Sequence, residues 1–433
     1  MRLFLFAAPA LLLACNPVSS IDIKGVDTAG DGDADTDTDS DTDTDTDTDT
    51  DTDTDTDPPD DVDEPVADIV VDCEGSGDYE TIQEAIDAAV SPSRIAVKKC
   101  EYHERLDFLG KIIDMYGVDG SADTVLDGDG GGTVVDFEMM EAGWSRFAGF
   151  TVTGGYDPGD GAGMEVTKAS VELEDVVFEG NEGLSILRGS WGSIDLIDVT
   201  ILNNDIASEG QALYVDGGGL SMDRTRIDCD TGTQAIWHHV QLIIADSEIT
   251  CDTGYGVHDY HGEDYIVRST IYGGIAGYYA YDNESTAEEP DSPNERFYAE
   301  NSVFGGGSVG ADIRYMTLAL SNSVFYGGDS GLSMTACGSS SSGVNNVYAD
   351  SACGITGDQA FSDSYSAFWD NTADGCGLTA SPEVSTDPLF ASWPDDLTLG
   401  TGSPLIDAGS RALDDTDGSR SDIGRFGGPK GGW

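Results

Sequence analysis

Basic residues are scarce in this chain: 19 Lys and Arg stand against 83 Asp and Glu over 433 residues, a formal charge of −64. A phosphate backbone needs a basic face to displace its counterions, so nucleic-acid binding is excluded. The same field argues against polyanionic substrates and against adhesion of the bare protein surface to an anionic bilayer. Histidine is rare, at five, and the eight cysteines form no CxxC pair or His/Cys metal spacing. Proline is sparse at 14 while glycine reaches 56, a balance that suits a turn-rich all-β chain. Beyond residue 14 no apolar run is long enough to span a bilayer.

Arg2, the apolar run Leu3–Leu13 and then Ala14-Cys15 have the order of an export signal, too short for a mature transmembrane helix. Leu12-Leu13-Ala14-Cys15 resembles a bacterial lipobox, which implies lipidation of Cys15 after removal of residues 1–14. An ordinary secretory signal is the alternative. Residues 15–65 follow as a tether, with Asp-Thr repeated from Asp35 to Asp57 and almost nothing apolar to bury. Such a segment is expected to be disordered and extended by its own charge. Its start, Gly30 to Asp35, has a partial calcium-loop look but no bidentate Glu. The tether accounts for only part of the acidity. Between Asn16 and Asp68 lie 21 acids, leaving 62 acids and 17 bases for residues 69–433.

From residue 66 onwards a short strand recurs, carrying an apolar residue followed by Gly or Asn. The apolar positions are Val152, Val177, Ile201, Ile227, Ile249, Ile271, Val303, Val324, Val347 and Phe368. Their steps are 25, 24, 26, 22, 22, 32, 21, 23 and 21 residues. Each unit adds a second strand, such as Ala212–Val215, and a third, such as Gln241–Ile244. Three strands per period in the low twenties predict a solenoid, because one coil cannot bury its own apolar row. A β-sandwich has no such register. The 32-residue step marks an insertion from Tyr281 to Arg296.

The cysteines fit that register. Cys229 and Cys251 each lie two residues after the repeated apolar position in consecutive coils, within disulfide reach for stacked strands. Cys73 and Cys100 flank an expected helix and are expected to pair. Of Cys337, Cys353 and Cys376, the last two lie one coil apart and are the first choice of pair, leaving Cys337 over. Bridges imply an oxidising compartment.

The helix is expected over Tyr79–Ala89, with Ile82, Ala85, Ile86 and Ala89 on one face and Asp78 as N-cap. It would cover the open first coil. This Thr-Ile-Gln-Glu-Ala-Ile helix followed by Tyr102-His103-Glu104 is similar to the start of pectate-lyase-like proteins, although Cys100 stands where their turn has Gly. Asp387-Pro388-Leu389-Phe390, Ser403-Pro404-Leu405-Ile406-Asp407 and Asp422-Ile423-Gly424-Arg425 resemble the terminal module of bacterial surface proteins of the choice-of-anchor type. The resemblance implies an all-β, single-stranded, right-handed parallel β-helix over residues 66–380 and an end module over 381–433. It implies no particular activity, since that fold serves lyases, hydrolases, epimerases and adhesins.

Alternation along the second strand is more informative. If Leu213, Ile236, Val257 and Tyr278 face inward, then Tyr214, Trp237, His258 and Tyr279 share an outward column. Asp216, His239, Tyr260 and Tyr281 form another beside it, and Asp312 and Arg314 extend the pair. His238 and His261 lie nearby. Rings stacking on pyranose faces, with polar groups between them, would hold a sugar chain. Ordinary β-surface pairing would produce the same residue types. A lyase-like set would use His258 or His239 as base, Tyr260 or Tyr281 as acid and Arg314 as charge stabiliser. A glycosidase would need two placed carboxylates, for which Asp216 and Asp259 are available. No paired-Asp motif of polygalacturonases and no calcium-Asp plus Arg pattern of pectate lyases occurs. Asp415–Ser419 resembles part of a calcium loop but reads better as an Asp/Gly turn, so no metal or other cofactor is expected.

The expected protein is a monomeric, lipid-anchored component of a bacterial cell envelope, at the outer membrane or cell surface. It touches the membrane only through its anchor and binds a neutral glycan or another envelope component without catalysis. A carbohydrate-active lyase or hydrolase is the alternative, and a structural surface spacer is the third reading.

Overall fold

The computed structural model describes residues 67–431, apart from 140–142, 230, 261, 281–294, 339 and 358–360. Cys15 and the Asp-Thr tether therefore lie outside the described residues, as do Tyr281 and His261. The described chain is a parallel β-solenoid of three walls. Wall 1 can be followed through twelve rungs: Tyr102, Leu126, Val152, Phe178, Ile201, Ile227, Ile249, Ile271, Phe304, Phe325, Tyr348 and Phe368. Every one of these pairings is parallel, and every rung residue is buried. Wall 2 stacks Leu187, Leu213, Ile236, Val257, Tyr278, Ala311 and Leu332. Wall 3 carries Leu196, Met222 and Ile244 in register with Ile266, Ala299 and Leu320.

The corner between walls 3 and 1 is built from one recurring device. A residue with positive φ, among them Arg224, Asp246, Arg268, Asn301, Asn322 and Asn345, turns the chain. The next residue is a buried Ser, Thr or Asn, and from Ser247 onward its side chain accepts a backbone N–H from the coil before. The series runs Thr225 N to Ser247, Ser247 N to Ser269, Ser269 N to Ser302, Ser302 N to Ser323, Ser323 N to Asn346 and Asn346 N to Ser366, at 3.0–3.2 Å. Turn amides with no ladder partner are thereby satisfied inside the wall.

Three disulfides join Cys73–Cys100, Cys229–Cys251 and Cys353–Cys376, the pairings expected from the flanks of the helix and from the coil register. Cys337 is buried, with its thiol 3.4 Å from the Ile313 carbonyl. The helix spans Ile82–Ala88 and buries Ile82, Ala85 and Ile86. Its N-cap is Thr81 rather than Asp78. Asp78 instead accepts the Val70 amide, and Glu104 takes the two orphan amides of Ile82 and Gln83 at 2.8 and 2.9 Å.

Wall 1 corrects the sequence register. At four rungs the inward residue is Phe178, Phe304, Phe325 or Tyr348, one position after the valine expected there. Val177 faces out and is half-buried. Val303, Val324 and Val347 also face out, but are buried beneath the C-terminal segment with Leu397, Leu405 and Ile423. The end module is thus no stacked continuation of the solenoid. It lies along the side of the last four coils, pinned by the corner asparagines. Asn301 Nδ2 donates to the Arg425 and Gly427 carbonyls, Asn322 Nδ2 to that of Asp422, and Asn345 Oδ1 accepts the Ser410 amide. Asp415, placed in the possible calcium loop, accepts the amides of Asp422 and Gly428.

Candidate functional site

Wall 2 sorts its residues by alternation. Leu213, Ile236, Val257 and Tyr278 are fully buried, and Tyr214, Trp237, His258 and Tyr279 leave the opposite side in one cross-strand column. Arg188 precedes this column and Asp312 follows it. Asp216 and His239 pair one column over, with Asp216 Oδ1 3.3 Å from His239 Nδ1. Tyr260 joins them, its ring 5.9 Å from His239 and 6.0 Å from Trp237. The structure therefore brings together Tyr214, Asp216, Trp237, His239, His258, Tyr260, Tyr279 and Arg314, while Tyr281 lies outside the described residues.

Ring orientation differs from the expected platform. Tyr214 lies on Trp237 at 4.5 Å with 4° between the planes. Rings mounted on strands about 4.8 Å apart are close enough to cover one another's faces. Tyr255, His258 and Tyr279 continue the row at 4.9–5.3 Å with tilted planes. A guanidinium closes each end: Arg188 sits 5.1 Å from the Tyr214 ring and Arg314 5.4 Å from the Tyr279 ring. The Tyr214–Trp237 contact withholds ring faces from a ligand and leaves polar edges for recognition.

The catalytic sets are poorly served. Burial pushes the His258 imidazole down to about 4, with the charge on His238 acting in the same direction. Its Nδ1 is 3.2 Å from Gln234 Oε1. Such a ring is a weak base at neutral pH. Arg314 is held by Asp312 at 2.8 Å. Asp259 corrects the glycosidase pair outright: it is 2% exposed and faces the core, on the other side of the wall from Asp216.

What the sequence reading missed is the environment of Asp259. His238, Asp264 and Tyr278 are each 0% exposed and converge on it inside the solenoid. Tyr278 Oη donates toward Asp264 Oδ2 at 2.5 Å and lies 3.3 Å from Asp259 Oδ2. Burial opposes a charged His238 ring, but Asp264 and Asp259 outweigh it and hold the imidazole up to about 9. A cleft of about 740 Å³ lies elsewhere, between wall 1 and the C-terminal segment, lined by Asp246, Arg268, Tyr272, Tyr326 and Arg425 among others. Arg268 is paired there with Asp246, and burial lowers the Arg425 guanidinium to about 10.

Neither a family model nor a curated protein sequence matches this chain. Among solved structures it is similar to the pectate lyase Pel9A, at 16% identity and a TM-score of 0.45 over 80% of this chain and 91% of that one. It is also similar to the Streptococcus pneumoniae surface protein and adhesin PfbA, at 10% identity and a TM-score of 0.40 over 70% of this chain and 95% of that one. A pectin methylesterase from carrot follows at 12% identity and 0.25, over 75% and 90% of the two chains.

Proposed function

We propose that the protein is a lipid-anchored envelope component, attached through Cys15, whose wall 2 binds a neutral glycan without catalysis. The observation that carries this reading is the outward ladder Tyr214–Trp237–His258–Tyr279 with Asp216, His239 and Tyr260 beside it. It offers hydroxyl, indole, imidazole and carboxylate edges in a row, suited to a chain of hydroxyl groups. The acidity of residues 69–433 favours an uncharged ligand over an anionic one. The depressed His258 and the inward Asp259 favour binding over lyase or glycosidase chemistry.

The test is a panel of neutral and acidic glycans presented to residues 66–433, with product release followed in parallel. Binding to a neutral glycan with no product release, weakened but not abolished in His258→Ala, is the expected result. Cleavage that disappears in His258→Ala would move the protein to the enzyme class.

A further inference from the structure

Four polar side chains interrupt the apolar core within two coils. His238 and Asp259 are cross-strand partners on wall 2, in a column otherwise filled by Val215 before them and Ala280 after. Asp264 opens a wall 3 strand at the position held by Leu242 one coil earlier and by Phe297 one coil later. Tyr278 follows Val257 in the inward row. All four are 0–2% exposed. The register would accept aliphatic residues at each place, so the polar set is a local substitution in apolar columns.

The geometry within the set is that of ligands facing a common centre. His238 Nδ1 lies 3.2 Å from the Val240 carbonyl oxygen. A carbonyl only accepts, so Nδ1 carries a proton; when a cation displaces the second proton that the carboxylates otherwise hold on the ring, the lone pair is on Nε2. Nε2 points at the two carboxylates, 3.4 Å from Asp264 Oδ2 and 3.8 Å from Asp259 Oδ1, and makes no hydrogen bond. Asp264 Oδ1 is also buried without a hydrogen-bond donor. One ligand atom from each of His238, Asp259 and Asp264 fits within a 4.8 Å span. An imidazole whose far N–H is tied to a backbone carbonyl is the usual arrangement of a metal-ligating histidine. Tyr278 Oη, donating to Asp264 Oδ2, fixes the orientation of that carboxylate.

We propose that His238, Asp259 and Asp264 form a buried binding site for one divalent first-row metal ion, with zinc as the ion of best fit. Charge closes with such an ion: two carboxylates balance a divalent cation while the imidazole and the Tyr278 phenol stay neutral. One nitrogen and a few oxygens suit zinc, whose bonds of about 2.0–2.2 Å set ligand atoms slightly over 3 Å apart. Calcium wants 6–8 oxygens at longer range, more than this set provides. The ion would lock together two coils whose outer surface carries Trp237, His239 and His258. This inference is independent of the glycan reading and stands or falls separately.

The full chain, expressed with zinc and dialysed against metal-free buffer, should retain about one zinc per chain by elemental analysis. After unfolding in chelator, refolding with zinc should raise Tm above that obtained with calcium or with chelator alone. His238→Gln should lower zinc retention by about 10-fold or more. Because that variant can fail to fold, a second restores the apolar pattern of the adjacent coils: His238→Val, Asp259→Ala, Asp264→Leu and Tyr278→Phe together. It should fold with wild-type circular dichroism, retain no zinc and show a Tm insensitive to chelator. Stoichiometric zinc in this fourfold variant overturns the assignment and points to the surface group of Glu101, His103 and half-buried Asp127 instead. Wild-type protein that takes up no zinc, and whose Tm zinc leaves unchanged, overturns it in favour of protons held among the same four side chains.

Discussion

Val324 and Phe325 are adjacent in sequence and both fully buried, yet they belong to two separate apolar clusters. Phe325 stacks at 5.0 Å on Phe304 and at 5.6 Å on Tyr348 inside the solenoid. Val324 points the other way, into the cluster with Val303, Val347, Leu405 and Ile423. One strand thus serves as an inner wall for the coils and as an outer floor for the C-terminal segment. An exposed wall of this kind would be an apolar patch on an otherwise acidic surface, so the segment is a structural part of the last four coils.

Leu405 is the test of that second cluster. It is 0% exposed and its backbone carbonyl accepts the Ile423 amide at 3.0 Å. Leu405→Ala should destabilise the protein by about 2–5 kcal/mol in urea unfolding, as for other buried leucines. A loss below about 0.5 kcal/mol would mean that the segment rests on the wall without adding to its stability.

The corner ladder makes a sharper prediction. Ser269 Oγ accepts the Ser247 amide at 3.1 Å and donates to the Val267 carbonyl at 2.8 Å. In Ser269→Ala the Ser247 amide stays buried and loses its acceptor, at a cost of about 1–3 kcal/mol. Ser269→Asn should recover part of the loss, because Asn346 fills the equivalent place three rungs on and accepts the Ser323 amide. Paired unfolding curves of the two variants decide it. Equal destabilisation by Ala and Asn would show that volume, not hydrogen bonding, governs the corner.

The coil period and the inward side of wall 2 were legible because only one face of that wall is buried, which leaves clean alternation from Leu213 to Tyr278. The last wall 1 strands were not, since Val303-Phe304 and Val324-Phe325 are buried on both faces and alternation vanishes. His238 and Asp259 share the inward parity of Ile236 and Val257, so their burial could be read from the sequence. Asp264 could not be placed beside them, because it stands on another wall and reaches them only through coil closure. Parity likewise put Tyr214 and Trp237 on one side without revealing that the rings cover each other, which depends on side-chain torsions.

Acidity should stabilise this protein down to mildly acid pH. Burial is the largest influence on Asp136, Asp195, Asp363 and Asp422, and it pushes each carboxyl up to about 6. Neighbouring acids add to the effect at Asp136 and Asp195. A carboxyl with a folded pKa above its unfolded value binds more protons in the native state. Its contribution is present below about 4 and is lost as pH rises through about 6. Relief of the −64 charge acts in the same direction. Scanning calorimetry should give a higher Tm at pH 5 than at pH 7.5. A lower Tm at pH 5 would show that carboxylates ionised in ion pairs, such as Asp198 with Arg224, dominate instead.

Trp237 decides between a binding ladder and a purely structural one. Its ring lies on Tyr214 and near Tyr260, so Trp237→Ala removes two aromatic contacts, each worth about 0.5–1.5 kcal/mol beyond area burial. Some loss of stability is therefore expected whether or not a ligand binds. Trp237→Phe separates the two roles: it keeps a ring to stack on Tyr214 but removes the indole N–H from the polar edge. If the edge recognises a glycan, Trp237→Phe should hold Tm within a few degrees and still weaken glycan affinity about 5- to 10-fold, the loss of one hydrogen bond. Unchanged affinity in Trp237→Phe, with the Tm loss confined to Trp237→Ala, would assign the ladder to coil stability. The ligand would then have to be sought on another wall.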